Sequence, residues 1–182
     1  MWNLIKQIAR TGIVSEPPPA PAQDQQPEVE RIQREILEIL GQALAIREVD
    51  AGSCNGCELE INAVNNPYYN LEGLGIKFVA SPRHADMLLV TGPVSRNMAV
   101  ALQRTYDATP DPKLVVAVGD CGRDGGIFGD TYASCGGVSR TIPVDRVIPG
   151  CPPEPIEILR GILAAVRGSR EKSREQAADS SL

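Results

Sequence analysis

Aromatic residues are scarce: one tryptophan, two phenylalanines and four tyrosines make up 4% of the chain. Any core must therefore be built from Val, Ile, Leu and Ala, and a hydrophobic content of 42% over 182 residues is enough for one domain. Positive charge is not in excess either. A net charge of −5 and a single histidine, His84, exclude the basic face that a nucleic-acid binder presents. No apolar run approaches the roughly 20 residues that span a bilayer. The apolar pattern of Met1–Ile13 carries Lys6 and Arg10, so it does not read as a signal peptide. Five cysteines is an odd count for a disulfide framework, and a chain of this size needs none. A reducing compartment with metal-bound thiolates is the expectation.

What the chain does have is cysteine in turns. Cys54 and Cys57 sit in Ser53-Cys54-Asn55-Gly56-Cys57-Glu58, Cys121 in Gly119-Asp120-Cys121-Gly122, and Cys151 in Gly150-Cys151-Pro152-Pro153. Each turn follows or adjoins a β-like run. Thiolates gathered on such turns hold soft metal centres, of which iron–sulfur clusters and zinc are the common forms.

Four stretches follow from the hydrophobic pattern. Residues 1–16 form an amphipathic helix, with Trp2, Ile5 and Ala9 on one face beside Leu4 and Ile8, and Lys6, Gln7 and Arg10 mostly away from it. Such a helix suits a membrane surface or a partner, the alternative being a helix folded back on its own domain. Residues 17–27, opening on Pro17-Pro18-Pro19-Ala20-Pro21, read as a stiff linker. Residues 28–167 form the main domain, which begins with a helix at Glu28–Gln42. Residues 168–182 are polar and expected to be a mobile tail.

Inside the domain, strands at Ala45–Val49, Ile76–Ala80, Asp86–Thr91, Lys113–Val118 and Arg146–Ile148 alternate with helices at Glu58–Asn65, Ser95–Ala108 and Pro155–Val166. Alternation with apolar strands predicts an α/β fold, a doubly wound parallel sheet. Ligands of such sheets bind outside the carboxyl ends of the strands. The cysteine turns after the first, fourth and fifth strands then share one edge, although 63 residues separate Cys57 from Cys121 and 29 separate Cys121 from Cys151. Three readings of the thiols stand open on spacing: a cluster, a structural zinc site with an unusually split second pair, and a thioredoxin-like Cys54–Cys57 redox pair that leaves Cys121 and Cys151 unused. Cys135 reads as a packed free thiol.

Four motifs occur in order: Cys54-Asn55-Gly56-Cys57-Glu58; Ser81-Pro82-Arg83-His84-Ala85-Asp86; Gly119-Asp120-Cys121 with Gly125-Gly126-Ile127-Phe128; and Ile142-Pro143-Val144-Asp145 through Pro149-Gly150-Cys151-Pro152-Pro153. Together they closely resemble the small, cluster-bearing subunit of group 4 membrane-bound NiFe-hydrogenases, found in formate hydrogenlyase-type complexes. That family is homologous to the 20 kDa subunit family of respiratory complex I. The resemblance covers about residues 45–165. It implies a flavodoxin-like fold and one [4Fe-4S] cluster on Cys54, Cys57, Cys121 and Cys151, with Cys135 outside the cluster. The complex I branch has two adjacent cysteines at the first position, so the two-residue gap between Cys54 and Cys57 resembles the hydrogenase side. A twin-arginine leader and a cluster-bearing C-terminal extension, features of periplasmic uptake enzymes, are not seen.

The resemblance implies an oxidoreductase subunit that relays electrons and does no substrate chemistry alone. Its partners would be a NiFe-type large subunit, a ferredoxin-like iron–sulfur subunit and membrane-arm subunits, on the cytoplasmic side of the inner membrane. The helix of residues 1–16 would contact the membrane arm, so deleting residues 1–20 should release the complex from membranes. Alternatives are a quinone oxidoreductase of the complex I type and a related ferredoxin-oxidising complex without nickel. Amides of Gly56, Gly122 and Gly150 are candidate donors to cluster sulfurs. Arg83 is expected nearest the cluster, with its motif at the ligand edge, where its charge would raise the potential. His84 and Glu58 are candidates for proton relay, Glu58 also being favoured at a helix start by the dipole. The ligand edge and the loop Gly122–Gly137 are expected to be exposed.

Overall fold

The computed structural model describes residues 2–11, 25–41, 43–69, 71–72 and 75–179. Most of the expected proline linker, and the end of the expected first helix, lie outside the described residues. The elements are α1 (Trp2–Thr11), α2 (Gln26–Leu40), β1 (Leu44–Asp50), α3 (Gly56–Val64), β2 (Ile76–Phe78), β3 (Met87–Thr91), α4 (Arg96–Ala108), β4 (Leu114–Val118), α5 (Gly119–Asp124), β5 (Arg146–Ile148) and α6 (Pro155–Asp179).

Five strands form one parallel sheet in the order β2-β1-β3-β4-β5. This is the doubly wound order in which strand direction of travel reverses beside β1, leaving a crevice at the carboxyl ends. The register aligns Ile46 with Met87, Leu88 with Val115 and Val116 with Arg146. Every residue of β3 is buried, as a central strand covered on both faces requires. Alternation then divides its side chains. Met87 and Leu89 join Ile32, Ile36, Ile61, Leu159 and Ile162 under α2, α3 and α6. Leu88 and Val90 join Leu102, Val138 and Ile142 under α4. These two aliphatic layers are what the low aromatic content foretells.

Local chemistry sets the helix ends. α2 buries Val29, Ile32 and Ile36 along one stripe and stops at Gly41, whose left-handed backbone (φ 65°) sends its N–H to the Leu37 carbonyl. Ser95 caps α4 by accepting from the Met98 amide at 3.3 Å, and α4 ends just before Pro110. Arg160 pairs with Glu28 at 2.7 Å, and Arg167 pairs with Glu35, setting the register of α6 on α2.

Two sequence expectations change here. The closing helix does not stop at Val166 but runs to Asp179, so the tail expected to be mobile is helical through that residue. Its Glu, Lys, Arg, Gln and Ala are straight-chain or small helix formers, whose propensity a composition-based reading of polarity overlooks. The turn after β4 is also a short helix, α5, which carries Cys121 and buries Gly119 and Gly122.

Candidate metal centre

The carboxyl edge of the sheet is built from three loops. After β1, Asp50 Oδ1 accepts the amides of Gly52 and Ser53, each at 2.8 Å, and closes a tight turn. The Ser53 hydroxyl accepts the Asn55 amide at 3.1 Å and donates to Glu58 Oε1 at 2.6 Å. Asn55 takes a left-handed conformation (φ 71°), and α3 starts at the next residue. Cys54 is thus left on the loop while Cys57 sits in the first turn of α3.

After β4 the chain turns at Gly119 (φ 81°) into α5 and Cys121. A Cβ on Gly119 would lie 2.7 Å from Cys57 Sγ, and one on Gly126 would lie 2.8 Å from Cys121 Sγ. Both thiols therefore occupy space that only glycine leaves open. After β5, Gly150 is joined to the α5 turn in both directions. The Asp120 amide donates to the Gly150 carbonyl at 2.8 Å, and the Gly150 amide donates to Asp120 Oδ1 at 3.3 Å. Asp120 in turn pairs with Arg123 at 2.9 Å, which also holds Asp124 at 3.0 Å.

The result is one cavity of about 120 Å³ lined by Cys54, Cys57, Cys121 and Cys151, with Ser53, Gly56, Gly92, Asp120, Gly150 and Pro152. Cys54 and Cys151 are exposed, whereas Cys57 and Cys121 are half-buried. The cavity is thus closed on the protein side and open on the other. Burial, followed by the charges of Glu58 and the other three thiols, pushes the Cys57 thiol up to about 12. Burial first, then Cys151 and Cys54, also raises Cys121. Among the described residues, no three His, Cys, Asp or Glu side chains converge closely enough to hold a single ion.

These shifts give a pH-dependent expectation for the metal-free chain. With its thiol pushed up to about 12, Cys57 stays protonated at pH 8 and is a poor nucleophile there. Alkylation at pH 8, followed by mass spectrometry, should modify the exposed Cys54 and Cys151 first and Cys57 last. Early modification of Cys57 would contradict its burial. The folded thiol holds its proton above the ordinary value near 9, so the metal-free chain loses stability as pH rises from there towards 12.

Glu58 is 8% exposed and lies behind the thiols. Its Oε1 accepts the hydroxyls of Ser53 and Thr91, while Oε2 is buried without a partner. It joins the Cys54 loop to the end of β3, a role that its position at a helix start did not disclose. Burial, and then the charge of Glu58, raises the carboxyl of Glu48.

Arg83 and His84 are not at this edge, which corrects the expected placement of their motif. β2 is three residues long and pairs only with Leu44–Ile46. The following segment therefore returns at that level: Val79 donates to the Ile46 carbonyl and Asp86 to the Ala45 carbonyl, both at 2.8 Å. Arg83 and His84 line a separate cavity of about 320 Å³ with Leu44 and Leu114, the first residues of β1 and β4. A strand length of roughly 15–20 Å, at about 3.3 Å per residue, separates the two edges. Over that span solvent screens an exposed charge. Arg123 stands two residues after Cys121, and two acids, Asp120 and Asp124, already hold it. Of the three expected glycine donors, Gly56 lines the cavity, Gly150 spends its amide on Asp120, and Gly122 is buried against Ala117 and Val90. Cys135 packs against the α4-side core, away from the four. Gly119 and Asp120 stand in a motif and Thr91 at a strand end, but the sequence assigns none of the three a role.

Comparison with known proteins agrees with the motifs. Residues 54–165 match the family described as NADH ubiquinone oxidoreductase, 20 kDa subunit. Formate hydrogenlyase subunit 7 of Escherichia coli is 46% identical over 131 residues, 72% of this chain, which spans about half (51%) of that relative. A probable membrane-bound hydrogenase subunit, mbhJ of Pyrococcus furiosus, is 42% identical over 76% of this chain and 85% of its own length. Among solved structures, a chain of the membrane-bound sulfane sulfur reductase, an archaeal respiratory membrane complex, superposes with a TM-score of 0.58 at 33% identity, covering 75% of each chain. The chain belongs to the 20 kDa subunit family of NADH–ubiquinone oxidoreductase, and it is similar to subunits of formate hydrogenlyase and of a probable membrane-bound hydrogenase.

Proposed function

We propose that this chain is the electron-relay subunit of a membrane-bound hydrogenase complex, holding one [4Fe-4S] cluster on Cys54, Cys57, Cys121 and Cys151. It does no substrate chemistry alone. It stands between a ferredoxin-like iron–sulfur subunit and the NiFe centre of a large subunit, on the cytoplasmic side of the membrane. The observation that carries this reading is the set of four soft thiols, from three separate loops, lining one cavity at the sheet's carboxyl edge. The cavity has room for more than one ion and takes its four thiols from three loops. That arrangement favours a cluster, in which each cysteine takes a different iron, over a zinc tetrahedron. The membrane-bound relatives support the setting.

Bound there, such a cluster accepts and returns one electron at a time. The chain's own residues prepare the place. Gly119 and Gly126 keep space for the sulfurs of Cys57 and Cys121. Asp120 holds the Cys121 and Cys151 turns together, and Glu58 secures the Cys54 loop. Half-burial of Cys57 and Cys121 on the protein side leaves the Cys54–Cys151 side to face the large subunit. The loop after α5 stands out in the same region of the chain, with Ile127 90% and Tyr132 94% exposed. Among the described residues no helix is long and apolar enough to cross a membrane, which suits a peripheral subunit.

A second reading rests on the likeness to the sulfane sulfur reductase. The same relay would then serve a complex whose large subunit lacks nickel. Metal analysis and low-temperature EPR of the anaerobically purified complex, with an assay of hydrogen-dependent dye reduction, separate the readings. About four irons per copy of this chain, a reducible EPR signal and nickel in the partner are expected. Iron without nickel moves the complex to the second reading. Zinc without iron sinks both.

A further inference from the structure

None of the described side chains of α1 joins either core. Every described side chain on it is exposed, Trp2 at 68% and Ile5 at 52%. Its sequence divides cleanly at 100° per residue. Leu4, Ile5, Ile8, Ala9 and Trp2 fall within one arc of about 160°, with Asn3 and Arg10 opposite, Gln7 beside them and Thr11 next to Leu4. Lys6 borders the apolar arc on the Trp2 side, and Arg10 follows one turn on, further towards the opposite face. Lys6 Nζ stands 5.8 Å from the centroid of the Trp2 ring, so cation and indole share one edge of the helix.

Charge decides between possible occupants of this face. The helix carries Lys6 and Arg10 and no acid, in a chain whose net charge is −5. A greasy groove on a partner would take the apolar arc without needing a cationic border. A surface of anionic headgroups over acyl chains needs both, with an indole at the boundary between them.

We propose that α1 lies in the plane of an anionic phospholipid surface, with Trp2 and Ile5 entering the headgroup–acyl boundary and Lys6 and Arg10 on lipid phosphates. The inference deepens the peripheral-membrane reading above by naming lipid, rather than a membrane-arm subunit, as what the helix touches. It does not depend on which metal the thiols hold. Iron content and EPR test the relay, whereas vesicle binding tests this helix, so either can fail alone.

The test is flotation of the full-length chain with vesicles of phosphatidylglycerol and phosphatidylcholine, or of phosphatidylcholine alone. Emission from Trp2, the only tryptophan of the chain, is read in parallel. Binding to the anionic vesicles is expected, with emission shifted to shorter wavelength, and binding to pure phosphatidylcholine should be at least about tenfold weaker. The double variant Lys6→Glu/Arg10→Glu should lose the anionic preference, and Ile5→Asp should lose the emission shift. All three sites are exposed and outside both cores, so circular dichroism of the variants should match the parent. Equal binding to both vesicles, binding without a Trp2 shift, no flotation, or charge-reversed helices that bind as well as the parent would each overturn the proposal.

Discussion

Replacing Cys121 by alanine is expected to abolish the iron signal of this chain. Cys121 reaches the cavity from α5, half-buried and held among the charges of the other thiols. With one of four thiols gone, the remaining three come from only two loops, and the β4 side of the cavity offers no soft donor. The aliphatic layers on either face of the sheet do not include Cys121, so the folded domain should persist in circular dichroism. The measurement is iron per chain together with EPR on the anaerobically purified complex. Cys135→Ala is the matched control. That thiol packs against the α4-side core and does not line the cavity, so its loss should leave iron and EPR unchanged. An undiminished signal in Cys121→Ala, or a lost one in Cys135→Ala, would refute the ligand assignment.

Gly119→Ala should have the next largest effect, through geometry rather than through loss of a ligand. The position has φ 81°, where an L-residue costs about 1 kcal/mol more than glycine. The new methyl would also stand 2.7 Å from Cys57 Sγ and 3.3 Å from the Gly150 carbonyl. Either the Cys57 sulfur moves or the β5 turn does, and both belong to the cavity. A destabilisation of about 1–3 kcal/mol is expected, with loss of most of the iron. Gly129→Ala separates the two causes. Gly129 has a similar backbone (φ 56°) but nothing within 4 Å of its would-be Cβ. It should carry the conformational cost alone and keep its iron. Denaturant midpoints and iron per chain on both variants decide the matter. Equal iron loss in the two would mean that backbone strain, not the contact with Cys57, governs the site.

The parts of the molecule legible in the sequence are those with a local signal. Met87–Val90 and Leu114–Val118 are unbroken apolar runs, and such runs between helical segments leave little choice but a parallel sheet covered on both faces. Cys54, Cys57, Cys121 and Cys151 could be singled out because each stands in a glycine- or proline-bearing turn at a strand end. Arg83 and His84 show the limit of the same logic. Their motif follows a strand, as the cysteine turns do, and nothing local reports that β2 stops after three residues. The extension of α6 to Asp179 was missed for another reason: polarity and helix propensity are separate properties, and Glu, Lys and Arg have both.

By itself the sequence determined the family, the alternation of strands and helices, the aliphatic character of both core layers and the thiol chemistry available at strand ends. Periodicity and turn residues act over a few neighbours, so these can be read without coordinates. Only the tertiary structure decided which turns share a cavity, that Asp120 ties the Cys121 turn to Gly150 and that Glu58 binds the Cys54 loop to Thr91. It also decided that the Arg83 charge lies a strand's length from the thiols. Those facts depend on strand length and sheet register, which bring together residues tens of positions apart and leave no trace in the spacing of either.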